Sequence, residues 1–374
     1  MATVLPLVLL LLFGALLRSP SRVRVRLPRR MRRFDATARW ARTRFDTAAH
    51  GLAPREQLSA RRAGPPLPPY RIKAMQAIAD AAWGGDWRPA AAYVEAAATD
   101  WDERWSRLQL LQEIAHRDAA WLDAWHQAQP DNGDAATLRA LLLVDQAWAI
   151  RGTEYAHKVP ADRMARFTEL LPAAIEAARA ATLLAPKDPG PWVVMVTAAR
   201  GARYSHDRFR PMWEGLVARA PHHYEGHGQA LQFWCAKWAG SDRLMLQFAE
   251  QAVRSAPVGS PLAGMYLHAL RELEQRHGVS ALPAARDARP LLEEVVRSLD
   301  HVPADDERLP PLRHLLAHYL SDAGLHDAAL EQFRLIGAWC GAWPWTQESD
   351  PVAAFDLARA AAAKKATSPA PSAP

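Results

Sequence analysis

Between Leu183 and Pro257 one short phrase occurs three times: Leu184-Ala185-Pro186, Arg219-Ala220-Pro221 and Ser255-Ala256-Pro257. The prolines stand 35 and 36 residues apart. An Ala-rich segment with helical spacing precedes each phrase, and a new apolar-periodic segment follows it. A period of this length belongs to stacked helical hairpins, in which each repeat buries its apolar face against its neighbours. The stretch therefore predicts an all-α chain, a solenoid of stacked antiparallel helical hairpins.

Working outward, the whole of 64–364 reads as one α-helical repeat domain. Gly85-Asp86-Trp87 opens a helix with Pro89 in its first turn, where a missing N–H costs nothing. Asp100 with Glu103 three residues later has the form of a capping box. Asp188-Pro189, Ser241-Asp242 and Gly259-Ser260-Pro261 are further start signals. The connections are short, which favours antiparallel neighbours.

The segment His314–Ile336 is the sharpest repeat. Small Ala317 is followed by Leu320, Gly324, small Ala329, Phe333 and Ile336 at intervals of three, four, five, four and three. This order resembles the tetratricopeptide consensus, in which small residues let two helices approach and large ones fill between them. Gly85-Asp86-Trp87 with Ala90 and Ala97, and Trp192 after Pro186, echo the same repeat; the closing proline is replaced by Gly341. Together with His301-Val302-Pro303-Ala304-Asp305-Asp306-Glu307-Arg308, these features resemble a bacterial family of unknown function. That resemblance implies a tetratricopeptide-like fold and no activity.

The N-terminal part has a different character. Residues 2–17 carry no charge and are apolar apart from Thr3. As a helix they reach roughly 24 Å, enough to span a bilayer with local thinning or snorkelling by Arg18. Residues 1–17 are accordingly expected to form a hydrophobic helix that anchors the chain in the membrane. A cleaved leader would want basic charge ahead of the run and a small-residue cleavage site behind it, and neither is present. A mis-called start or a soluble segment is the third reading. The Arg18–Arg33 cluster that follows would face an anionic membrane surface and hold the C-terminal domain on the cytoplasmic side.

From Arg18 to Arg62 there are 14 Arg and three acids, a local balance of +11 against +6 for the chain, which leaves −5 for the remainder. A mildly acidic body is a poor nucleic-acid surface, so no nucleic-acid partner is expected. Residues 18–63 read as an Arg-rich juxtamembrane arm and linker, and the stretch Gly51–Tyr70, with its stiff Pro65-Pro66-Leu67-Pro68-Pro69, reads as the spacer that marks the domain boundary. Residues 365–374 read as a disordered tail. Cys235 and Cys340 sit in apolar contexts without redox or metal spacing and read as buried, reduced thiols.

The most specific internal signal for chemistry is a second echo. Arg151-Gly152-Thr153-Glu154-Tyr155-Ala156-His157 returns 49 residues later as Arg200-Gly201-Ala202-Arg203-Tyr204-Ser205-His206. Glycine at such a position supplies the left-handed conformation that ends a helix. The turn does not require tyrosine and histidine. Arg151, Tyr155, His157, Arg200, Tyr204 and His206 are therefore candidate binding residues, and the bland alternative packs the tyrosines on the hairpins and caps carbonyls with the histidines. His223 and His227, four apart on an expected helix, join the candidates; with His314 and His318 they lack the further ligands of a metal site. No phosphate loop, nucleophile elbow or Cys-His pairing is present, so no cofactor is expected. Of the 15 Trp, four pairs stand four apart: Trp83/Trp87, Trp101/Trp105, Trp121/Trp125 and Trp234/Trp238. That spacing shares a helix face.

Two functional readings follow. The first is a scaffold or adaptor that binds a protein or peptide partner. The second is a small-molecule binder or an enzyme of unnamed reaction, with its site at the two Arg-Gly-x-x-Tyr-x-His turns.

Overall fold

The computed structural model describes residues 45–152 and 158–367. The expected hydrophobic helix of 1–17, the Arg18–Arg33 cluster, Tyr155, His157 and residues 368–374 of the tail lie outside the described residues. Among the described residues the chain is all-α, with fifteen α-helices joined by turns and short 3-10 segments. No helix among them is long and apolar enough to cross a membrane.

The chain divides into two compact units, one over 67–244 and one that joins 45–66 to 245–367. In the first lie α1 (Pro69–Trp83), α2 (Arg88–Glu95), α3 (Trp101–Arg117), α4 (Ala120–Ala128) and α5 (Gly133–Arg151). They are followed by α6 (Ala161–Leu184), α7 (Gly190–Gly201), α8 (His206–Val217) and α9 (Tyr224–Phe233). α10 (Asp242–Ser255) runs through the division. The second unit holds α11 (Met265–His277), α12 (Ala285–Leu299), α13 (Leu309–Asp322), α14 (His326–Ile336) and α15 (Pro351–Lys365).

The helix starts are chemical. The Asp100 carboxylate accepts the Glu103 N–H at 3.0 Å, as the capping box predicts. Asn132 accepts from Asp134 and Ala135 at the head of α5. The Asp188 carboxylate accepts the Gly190 N–H at 2.7 Å, and the Ser241 hydroxyl accepts the Leu244 N–H. All three Ala-Pro phrases fall at or just beyond helix C-termini, after α6, α8 and α10.

The decisive stretch encloses α7, which is buried at Val193–Ala199 and packs against α5, α6, α8 and α9. Around its head, Arg104 donates to both oxygens of Asp134 at 2.7 Å, lies 3.6 Å from Asp188, and reaches the carbonyls of Val94 and Ala98. Burial raises the carboxyl groups of Asp134 and Asp188 above the ordinary range, against the pull of Arg104.

In the second unit α13 packs against α14, and Ala317, Leu320, Ala329, Phe333 and Ile336 are all buried. The segment 45–66 is where the sequence reading fails. Expected as arm and spacer, it is bonded into this unit instead. Ser59 donates its N–H to Ala338 O at 2.8 Å and accepts from Cys340 N at 2.9 Å, and Arg62 O accepts from Gly341 N. His314 donates from Nε2 to Ala63 O at 2.9 Å, while its Nδ1 accepts the Trp345 indole N–H, also at 2.9 Å. Arg359, fully buried, holds Asp356 through Nε and Nη2 and the Ala53 carbonyl through Nη1. Composition marked the prolines and arginines as spacer, but main-chain hydrogen bonds are indifferent to composition.

Candidate functional site

α5 and α7 pack against each other, and each ends in one of the two echoes. Arg151 closes α5, and Arg200 is the penultimate residue of α7. Both guanidinium groups consequently reach the same pair of indoles. Arg151 lies 5.4 Å from the Trp148 ring, 5.7 Å from Trp238 and 5.9 Å from Phe167. Arg200 lies 4.8 Å from Trp148 and 5.5 Å from Trp238. Trp148 stands edge-on to Trp238 and to Phe167, at 5.5 and 5.1 Å.

Two like charges repel over such distances, and each is attracted by the ring faces, by about 0.5–1 kcal/mol at an exposed site. Burial, then the neighbouring Arg203, lowers the affinity of Arg151 for its proton. No described carboxylate comes within ion-pair distance of Arg151; its Nη1 donates to the Gly152 carbonyl. The site is cationic, aromatic and half-buried.

The two glycines of the echoes serve different ends. Gly152 has φ +68°, as expected of a helix-ending glycine. Gly201 is helical, and a Cβ there would meet Leu171, Phe167 and Trp148 at 2.8–3.2 Å. Its role is to let α7 approach the aromatic cluster. The positive φ of the second turn falls on Arg203 instead, at 52°.

The remaining candidates do not converge. Tyr204 lies under the Arg208 guanidinium, 3.7 Å from its ring centroid, and lines a separate cleft. His206 donates from Nε2 to the Ala239 carbonyl at 2.7 Å and meets Trp234 edge-on. The second echo is thus divided, its arginine going to the indoles, its tyrosine to a cleft and its histidine to a carbonyl.

His223 and His227 do not share a helix face. His223 is the N-cap of α9, its Nδ1 accepting the Gly226 N–H at 3.2 Å, with the Asp102 carboxylate 3.7 Å away. Asp102 also accepts the Tyr224 N–H. His227 donates from Nδ1 to His223 O at 2.9 Å, and burial holds its pKa down at about 4. Both are engaged in ordering the head of α9. His314 and His318 likewise have protein partners, His318 meeting Glu274 at 2.9 Å. Among the described residues no group of three His, Cys, Asp or Glu is placed to hold a metal ion. In the acidic 305–307 loop, Asp306 is bound by Arg308.

Glu225, the second residue of α9, connects these groups. It is buried, accepts from Gln229 at 2.6 Å and feels the charge of Arg200; burial nonetheless raises its carboxyl above the ordinary range. The sequence reading missed Glu225, Trp148 and Arg208. Trp148 had a signal, since it stands three residues before Arg151, on the same face of α5. Trp238 was noted for the wrong reason. α9 ends at Phe233, so Trp234 and Trp238 share no helix, and Trp83 and Trp87 straddle the α1–α2 turn. Only Trp101/Trp105 and Trp121/Trp125 lie within single helices. Comparison of the chain with protein-family models, with curated proteins and with solved structures gives no match in any of the three.

Proposed function

We propose that each unit is a tetratricopeptide-like stack of antiparallel hairpins, and that the first unit binds a protein or peptide partner through a carboxylate-bearing segment. The repeat reading is supported by α7, which touches both its neighbours in sequence and the helices two places away, as stacked hairpins require. The binding reading rests on one observation: the convergence of Arg151 and Arg200 on Trp148 and Trp238. Arginine over indole is a common anchor at interfaces, where planar guanidinium groups receive carboxylates in pairs of hydrogen bonds. The nearby titratable groups Glu225, His223 and His227 are occupied in hydrogen bonds, which favours a surface that holds charge over one that moves protons. The tether in this reading rests on the sequence of 2–17 and Arg18–Arg33 alone.

The test offers the immobilised full chain two peptide sets, identical except that Asp and Glu in one are Asn and Gln in the other. The acidic set is retained, more weakly as salt rises, and R151Q lowers its affinity by about tenfold at unchanged melting temperature. Equal retention of the amide set, or indifference to R151Q, overturns the reading.

A further inference from the structure

A cleft of about 400 Å³ opens among α6, α7 and α8, within the volume range of small-molecule sites. It is separate from the Arg151–Arg200 cluster in its lining residues. Arg179 stands on the α6 side, Trp192 and Met195 on α7, Tyr204 in the following turn, and Arg208 and Met212 on α8.

The aromatic wall is fixed before any ligand arrives. A Cβ on Gly215 would fall 2.1 Å from Trp192 Cζ3, so the indole lies directly against the α8 backbone. Arg219 covers Trp192 at 4.5 Å from the ring centroid, and is itself held by the carbonyls of Pro186 at 2.6 Å and Gly215 at 2.8 Å. Trp192 is thereby clamped, and a wall that cannot swing costs little ordering entropy on binding.

The charged side is open to solvent. The Arg208 guanidinium lies 3.7 Å from the Tyr204 ring centroid, and no described carboxylate forms an ion pair with it. Arg179 has a partner in Glu176 at 3.2 Å, but both are exposed and the pair is weak. The cleft thus combines an oriented guanidinium, an indole and two thioethers, which are soft partners for flat rings.

We propose that this cleft binds a small planar organic anion, an aromatic carboxylate. The ring lies against Trp192, Met195 and Met212, and the carboxylate accepts from Arg208, with Arg179 as the second cation. Arginine over tyrosine leaves the in-plane N–H groups directed outward, the geometry that carboxylates take in pairs.

The probe is 2-naphthoate, titrated into the full chain by calorimetry and followed by saturation-transfer NMR, with neutral 2-naphthalenemethanol as its control. Naphthoate binds, the alcohol binds about tenfold more weakly or less, R208Q weakens naphthoate by a similar factor, and R151Q has no effect. Arg208 is exposed, so R208Q leaves the fold intact and carries the test. Absence of binding at millimolar naphthoate, equal binding of the alcohol, or an unchanged affinity in R208Q overturns the proposal. Because R151Q is the silent control here and the active variant for the peptide partner, either reading fails without the other.

Discussion

Arg359 in the second unit and Arg151 in the first both lie beside aromatic rings, and they illustrate two uses of one side chain. Arg359 is fully buried, and its donors are taken up by Asp356 and the carbonyl of Ala53. A second arginine, Arg55, completes the pairing of Asp356 at 3.1 Å. Arg151 is half-buried over Trp148, Phe167 and Trp238 and spends one bond on the adjacent Gly152 carbonyl. A guanidinium whose hydrogen bonds close within the chain fixes structure, whereas one held mainly by ring faces keeps its in-plane donors for something else. The distinction follows pairing and not the unit, since Arg104 in the first unit is as fully engaged as Arg359.

The largest effect expected from this contrast is on Arg359. R359A leaves the buried Asp356 with the half-exposed Arg55 alone and strips the Ala53 carbonyl of its donor, and losing such a buried partner costs about 3–5 kcal/mol. Chemical denaturation should show the loss; a cost under about 1 kcal/mol would place Arg359 with Arg151 and dissolve the contrast.

His314 sharpens the comparison through pH. Burial holds its pKa at about 4, below its ordinary value of 6.5. Between those values the unfolded chain takes a proton that the folded chain refuses. Stability is therefore complete above pH 6.5, falls as the pH drops towards 4, and levels off below, for up to ~3 kcal/mol from this residue. H314Q, which offers one donor and one acceptor, should flatten that slope in melting curves across pH 4–7. His268 of the same unit, held at about 3, leaves a residual slope. An unchanged slope in H314Q would remove His314 from the account.

The smallest effect is expected for Arg151. R151Q forfeits cation–π attraction and also relieves repulsion from Arg200 and Arg203, so its stability should move by less than about 1 kcal/mol. A larger loss, measured in the same denaturation series, would make Arg151 a structural residue.

Local signals carried well from sequence to structure. Asp100, Asp188 and Ser241 act at helix starts because capping is settled within four residues of chain. The buried set Ala317, Leu320, Ala329, Phe333 and Ile336 follows from periodicity alone. The echo located Arg151 and Arg200 at corresponding helix ends, and their meeting depends only on α5 packing beside α7. What escaped was non-local. Nothing near Tyr204 states that Arg179 and Trp192 will line a cleft with it, and nothing in 45–66 states that its carbonyls will be claimed by residues some 250–306 positions away. His223 misled because a histidine four residues from another suggests a shared face, while a cap residue lies outside the helix it starts.

That long reach has a consequence for synthesis. The Ala53 carbonyl is made 306 positions before Arg359. At roughly 5–20 residues per second, the ribosome takes about 15–60 s to supply the partner. During that interval the first unit can emerge whole, since 67–244 is contiguous, while the earliest-made piece of the second unit waits without its mates. A chain truncated before Arg359 would carry one complete unit and one that has its beginning and no closure.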